Sequence, residues 1–185
     1  MRNGVYMGLW PYRPLATPGA AENHGVRGND MAVSMVQPQS DEEWRQARTL
    51  IEQYAASLGL DLSFQNLQHE LEHLASEYSP PKGAFLLAGN ESGYLGCIGL
   101  RQFAPGVGEI KRLYALPAAR GQHIGRCLAV AIVEIARQRG YGRLLLDTLP
   151  SMTQAQSLYA SLGFKPTAAY RFNPVPGTVY LELTL

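Results

Sequence analysis

Cysteine is nearly absent from this chain, which has only Cys97 and Cys127 in 185 residues. That count excludes a disulfide scaffold, and in a reducing compartment even one bridge is unexpected. A long apolar run is missing too: no stretch approaches the roughly 18 residues of a membrane span. The mildly apolar segment from Gly4 to Trp10 is interrupted by glycines and ends at Pro11, so it does not read as a signal peptide. Charge of one sign is also lacking. Lys+Arg 16 stand against Asp+Glu 15, a net charge of +1. That balance leaves no footprint for nucleic acid or an anionic membrane. The expected setting is therefore the cytoplasm, with neither nucleic acid nor membrane as partner.

What is present suits a folded domain. Apolar residues make up 46% and charged residues 17%, enough to bury a core. Residues 1–30 carry Gly, Pro, Asn and Arg without periodicity and read as a flexible N-terminal tail, with Met31 as an alternative first residue. A single domain is expected over 31–185. It opens with a short strand, Ala32 to Gln37. A helix follows from about Glu42, with Ser40 and Glu43 forming a capping box and Trp44, Ala47, Leu50, Ile51 and Tyr54 at helical spacing. A second helix is expected from Asn66 to Glu77, ended by Pro80-Pro81. Three strands of a meander then read as Ala84–Ala88, Tyr94–Gln102 and Gly108–Ala115. A helix runs to Arg139 with Ile124, Leu128, Ala131, Ile132 and Ile135 on one face. Leu144-Leu145-Leu146 reads as a central strand, Thr153 to Leu162 as a helix, and Phe164–Phe172 and Thr178–Leu185 as late strands. The order β-α-α-β-β-β-α-β-α-β-β describes an α/β (α+β) layered domain with a mixed sheet.

The chemistry is expected where a strand, a glycine-containing turn and a helix start follow one another. The first amides of a helix lack intrahelical acceptors and carry the positive end of the macrodipole. Gly121 and Gly125 let the backbone approach a bulky phosphate, and Arg120 and Arg126 add charge, so a pyrophosphate is the natural guest. The segment matches neither a P-loop nor a dinucleotide fingerprint. Cys127, early in this helix, has the apolar neighbours Leu128 and Val130 and reads as a small core residue.

Arg120-Gly121-Gln122-His123-Ile124-Gly125 resembles the (Arg/Gln)-x-x-Gly-x-(Gly/Ala) signature of the GNAT acetyltransferase superfamily. Leu113-Tyr114-Ala115-Leu116-Pro117 is similar to that family's Leu-x-Val-x-Pro lead-in, and Ala155 to Phe164 to its Ala-x-x-Leu-Tyr-x-x-x-Gly-Phe motif. His123 stands where the first family glycine falls, and Met152 where an asparagine contacting coenzyme A is frequent. The resemblance implies a GNAT-like mixed sheet of six to seven strands flanked by about four helices. It implies acetyl-CoA as co-substrate, without a metal, and direct transfer to a primary amine in a ternary complex. The acceptor is expected to be a small-molecule or peptide amine, and the protein a monomer or homodimer.

Carried over residue by residue, the resemblance implies that backbone groups of Leu113, Tyr114 and Ala115 hold the pantetheine arm. The segment Arg120, Gly121, Gln122, His123, Ile124, Gly125 and Arg126 would hold the pyrophosphate. Tyr159 would lie near the thioester sulfur and protonate the departing thiolate. Glu109 is the candidate base, because alternation puts Glu109, Lys111, Leu113 and Ala115 on one side of a strand that borders the cofactor. An amide of Leu113 or Tyr114 would meet the oxyanion. The acceptor is expected between the early helices, Pro80-Pro81 and the segment Tyr170–Pro174, where Arg171 could grip a carboxylate. Two other readings were weighed. A non-catalytic acyl-CoA sensor would keep the cradle without needing Glu109 or Tyr159. His69-Glu70-Leu71-Glu72-His73 fits the zinc-protease pattern His-Glu-x-x-His, but Gln65, Gln68, Glu70, Glu72 and Glu77 read instead as a solvated helix face.

Overall fold

The protein is seen in a computed structural model, which describes residues 33–59 and 66–185. The expected tail over 1–30, Met31 as a start, and Gln65 fall outside the described residues. Strand β1, Ser34–Val36, leads into helix α1, Asp41–Leu58. The capping box forms: the Ser40 hydroxyl accepts from the Glu43 amide, and the Glu43 carboxylate accepts from the Ser40 amide at 3.0 Å. Gly59, left-handed at φ 61, ends α1.

The expected second helix is two short ones, α2 (Leu67–Glu72) and α3 (Leu74–Tyr78), broken at His73. The break rotates the second piece, so that Glu70 and Leu71 from α2 and Leu74 and Tyr78 from α3 all turn inward. A hairpin follows, β2 (Ala84–Asn90) and β3 (Gly93–Ala104), then β4 (Val107–Ala115), a 3-10 turn at Pro117–Ala119, and helix α4 (Ile124–Gln138). The buried face of α4 is Ile124, Leu128, Ala129, Ile132, Val133 and Ala136, and the expected Ala131 and Ile135 sit at its margin. Strand β5 (Arg143–Thr148), helix α5 (Thr153–Ser161), the two-residue β6 (Lys165–Pro166) and β7 (Val179–Thr184) complete the chain. The long strand expected from Phe164 is thus cut short. Beyond Pro166 the segment leaves the sheet, and its Tyr170, Arg171 and Asn173 side chains bond to groups on β4 and β5 instead.

The seven strands form one mixed sheet in the order β1-β2-β3-β4-β5-β7-β6. Two apolar layers cover it. One joins α4 to Leu86, Ile98, Leu100, Ile110, Leu144 and Leu146. The other joins α1, α2 and α3 to Val36, Phe85, Leu87 and Cys97. Gly99 makes the second layer possible, since a Cβ there would lie 2.5 Å from Cε1 of Tyr78.

Two features of the sheet position the site. The first is a gap: β4 and β5 pair in parallel only from Val107↔Arg143 to Glu109↔Leu145, while β4 runs on to Ala115. The second is a pair of irregularities in the β3–β4 ladder, one between Gln102 and Ala104 and one between Cys97 and Gly99. At the latter, Arg112 on the β4 side has φ 59. The extra residue breaks the simple alternation expected for β4. Arg112 joins Glu109 and Lys111 among buried charged residues, whereas Leu113 and Ala115 pack against the α4 layer with Ile110.

Candidate active site

The loop ahead of α4 is a turn of bare amides. Gln122 N–H reaches the Ala119 carbonyl at 3.4 Å and Cys127 N–H the His123 carbonyl at 3.0 Å. Between them, the N–H groups of His123, Ile124, Gly125 and Arg126 have no acceptor among the described residues. They project from the N-terminus of a 15-residue helix, where the macrodipole favours an anion. Gly121 has φ 82 and nothing within 4 Å of a Cβ built there. His123 has φ 57, so this helix start takes the left-handed backbone that glycine adopts freely, with an imidazole exposed on it. The departure at His123 therefore leaves the backbone path intact. Arg120 is exposed, and Arg126 donates to the Ser161 hydroxyl at 2.9 Å. A diphosphate fits this cradle: unspent donors, open space and positive charge coincide.

The backbone of Leu113, Tyr114 and Ala115 borders the gap. Tyr114 and Ala115 pair with Cys97 and Gly96 on the β3 side, beyond the last β4–β5 pair. Tyr159 on α5 is 4% exposed, its ring edge-on to Phe164 at 5.2 Å. Its hydroxyl has no hydrogen-bond partner among the described residues. Burial, with Tyr54 nearby, holds this phenol above its ordinary pKa, so it keeps its proton.

Glu109 lies at the foot of the gap and is 1% exposed. Its carboxylate accepts from Arg101 Nε at 2.9 Å, Arg171 Nη1 at 2.6 Å and the Tyr170 hydroxyl at 3.1 Å. Lys111 Nζ stands 4.0 Å from Glu109 and 3.6 Å from Asp147 of β5. Asn173 donates to the other Asp147 oxygen at 2.8 Å. Burial alone would raise the Glu109 pKa, but Lys111, Arg101 and Arg171 together outweigh it and lower it. Burial lowers Lys111 to about 8 against the pull of Glu109 and Asp147.

A second knot adjoins the first. Arg112 donates to both oxygens of Glu70, each at 2.8 Å, and the Tyr78 hydroxyl donates to Glu70 at 2.8 Å. Glu70 is thus 2% exposed, and the expectation that it belongs to a solvated helix face is wrong: the strained bulge at Arg112 takes the carboxylate inward. His69 and His73 do stay outside, their rings stacked at 4.2 Å. Arg101 joins the two knots, reaching Glu77 at 3.0 Å and Glu70 at 3.9 Å.

Among the described residues no hydrogen bond joins Glu109 to Tyr159. The structure gathers Arg101 and Asp147, which the sequence left unmarked, around Glu109 and Lys111 together with Tyr170 of the expected acceptor segment. Asp147 follows the apolar run of β5, a position that a strand reading alone does not single out.

The sequence model of the acetyltransferase (GNAT) family matches residues 44–164. An uncharacterized N-acetyltransferase of Schizosaccharomyces pombe is 37% identical, over 86% of this chain and 98% of its own. The chain belongs to the acetyltransferase (GNAT) family. This GNAT domain also superposes on a Streptococcus agalactiae acetyltransferase with a TM-score of 0.69 at 19% identity, covering 83% of this chain and 98% of that one. The PaiA N-acetyltransferase of Thermoplasma acidophilum, solved in complex with coenzyme A, gives 0.63 at 18% identity, over 84% and 100%. Both share the fold of this GNAT acetyltransferase, whose expected six to seven strands number seven among the described residues, with five α-helices there against the expected about four. Among the described residues no helix is long and apolar enough to cross a membrane.

Proposed function

We propose that the chain transfers an acetyl group from acetyl-CoA directly to a primary amine, without a covalent enzyme intermediate. The observation that carries this reading is the run of four acceptor-free amides, His123 to Arg126, at the head of α4 beside a parted strand pair. In it, the amides and Arg120, Gly121, Gln122 and Arg126 hold the diphosphate, and backbone groups of Leu113, Tyr114 and Ala115 hold the pantetheine arm. Acetyl-CoA supplies an activated thioester carbonyl.

The acceptor amine must lose a proton to attack, since a typical alkylammonium has a pKa near 10.4. Glu109 is ionised throughout the neutral range and hydrogen-bonds through Tyr170 toward Asp147, so it is the proposed proton acceptor. Its lowered pKa makes it a weak one, suited to passing the proton onward rather than keeping it. Tyr159, with an unpaired and firmly protonated hydroxyl, is the proposed donor to the leaving thiolate.

Calorimetry with coenzyme A and thiol release from acetyl-CoA over an amine panel test the reading. Heat at micromolar to millimolar coenzyme A and acceptor-dependent thiol release are expected, and neither signal at millimolar ligand removes it. Glu109→Gln and Tyr159→Phe should each lower turnover by roughly 10–100-fold with little change in coenzyme A affinity. Unchanged turnover in both would strip these two residues of their roles, whereas coenzyme A binding without turnover on any amine would favour a sensor.

A further inference from the structure

The identity of the acceptor is written into the cleft beside Glu109. This cavity, of about 610 Å³, is walled by Glu77, Arg101, Phe103, Glu109 and Arg171, with Pro80, Pro81 and Lys82 at its edge. Its inner wall, Glu109, is also the last β4 residue paired with β5, so an occupant of the cleft reaches the place where the strands part.

The guanidinium groups here are only partly used. Arg171 spends Nη1 on Glu109, and its Nε and Nη2 have no acceptor among the described residues. Arg101 spends Nε on Glu109 and Nη1 on Glu77, leaving Nη2. None of these remaining nitrogens is among the buried, partnerless atoms, so each keeps solvent access. Glu109 anchors Arg171 by Nη1 and Arg101 by Nε, and so fixes their remaining nitrogens in place. Two guanidiniums held in this way present the planar donor pattern that a carboxylate fills.

The charge of the cleft points the same way. Its lining holds three cations, Lys82, Arg101 and Arg171, against two carboxylates, Glu77 and Glu109. An amine must be neutral to attack the thioester. A plain amine or polyamine then brings no negative charge to balance the excess cation, and in its protonated form is repelled by it. An amine that also bears a carboxylate brings a single negative charge and complements it.

Resting on the acetyl-transfer reading above, we propose that the acceptor is an aminocarboxylate of the amino-acid class. Its carboxylate docks on Nε and Nη2 of Arg171 and Nη2 of Arg101, and its amine points past Glu109 to the gap between β4 and β5. Nitrogen of the amine bonds to the acetyl carbonyl carbon as the carbon–sulfur bond breaks. The ammonium proton passes to solvent by way of Glu109 before attack, Tyr159 protonates the departing thiolate so that coenzyme A leaves as the thiol, and the proton shed by the new amide nitrogen restores Tyr159 through solvent.

The test is a matched pair, phenylalanine and phenethylamine, which differ by one carboxylate. Thiol release with acetyl-CoA is measured for both, together with calorimetry of both against the protein loaded with coenzyme A. Phenylalanine should exceed phenethylamine at least tenfold in kcat/KM and in affinity. Within Arg171→Gln that ratio should fall toward one, and Arg171→Lys should restore part of it; a ratio taken within each variant cancels any change Glu109 suffers. Phenethylamine equal to or better than phenylalanine, in turnover or in binding, overturns the proposal while leaving acetyl transfer standing. An absence of coenzyme A heat and of thiol release from any amine instead defeats the acetyl-transfer reading and takes this proposal with it.

Discussion

Along the loop from His123 to Arg126, four successive backbone donors have no acceptor among the described residues, whereas the buried carboxylates of Glu70 and Glu109 are held by arginines at 2.6–2.9 Å. The loop is exposed and relies on main-chain groups that any sequence supplies, so its side chains tolerate variation such as histidine at position 123. The charge cluster relies on side chains taken out of water, where a lost partner is costly. The first region is built to bind, and the second to hold its own geometry.

The sharpest way to break this contrast is to remove Glu70. Glu70→Ala takes away the carboxylate that both Arg112 nitrogens and the Tyr78 hydroxyl use, and should cost about 3–5 kcal/mol in urea-unfolding free energy. Acid is a gentler probe of the same region. Glu70 and Glu109 are held below the ordinary carboxylate value of 4.5; burial opposes this, but their arginine partners, with Lys111 at Glu109, prevail. The unfolded chain therefore binds these protons more readily, so their contribution is complete above 4.5 and is lost as pH falls through the folded values. The slope should approach about 1.4 kcal/mol per pH unit for each proton taken up. Melting curves from pH 6 to 3 should fall more steeply for the wild type than for Glu70→Gln. Lys111 gives a slope of the same sign in a higher window, adding stability as pH rises from about 8 toward 10.5, where only the unfolded chain keeps that proton.

The loop should answer differently. Gly125→Glu places a carboxylate in the first turn of α4, with only ordinary contact to Leu158 at 4.0 Å. Coenzyme A affinity should fall about tenfold, near 1.4 kcal/mol, by calorimetry. The unfolding midpoint should hold or rise slightly, because acid at a helix N-terminus is favourable. The smallest effect is expected at His123→Gly, which relieves a left-handed side chain and should raise stability by at most about 1 kcal/mol in a denaturant melt.

The loop was legible in the sequence because its signal is local: glycine spacing, a strand before it and a helix after it. The layers and most element boundaries were legible for the same reason. The charge cluster was not, and register explains why. A straight hairpin through the Pro105-Gly106 turn, with Ala104 opposite Val107, would set Gln102 across from Glu109. The observed ladder shifts near Phe103 and sets Arg101 there instead. The second shift, at Arg112, sends that side chain to Glu70, 42 residues away, a pairing that no spacing rule announces. The end of the strand at Pro166 was missed because Tyr170, Arg171 and Asn173 find partners across the sheet, which propensity along the chain does not see.

The two ladder shifts cancel. Pairs at the turn and at the far end share one phase, Ala104↔Val107 and Gly96↔Ala115, and only the block from Gly99↔Lys111 to Gln102↔Gly108 is slid by one residue. Deleting Phe103 would remove one shift, deleting one of Arg112 and Leu113 the other, and the pairs on either side would stay in place. Losing both would yield an unbroken ladder that still faces Glu109 with the Arg101 guanidinium, so a relative could shed both irregularities without changing the residue opposite its glutamate.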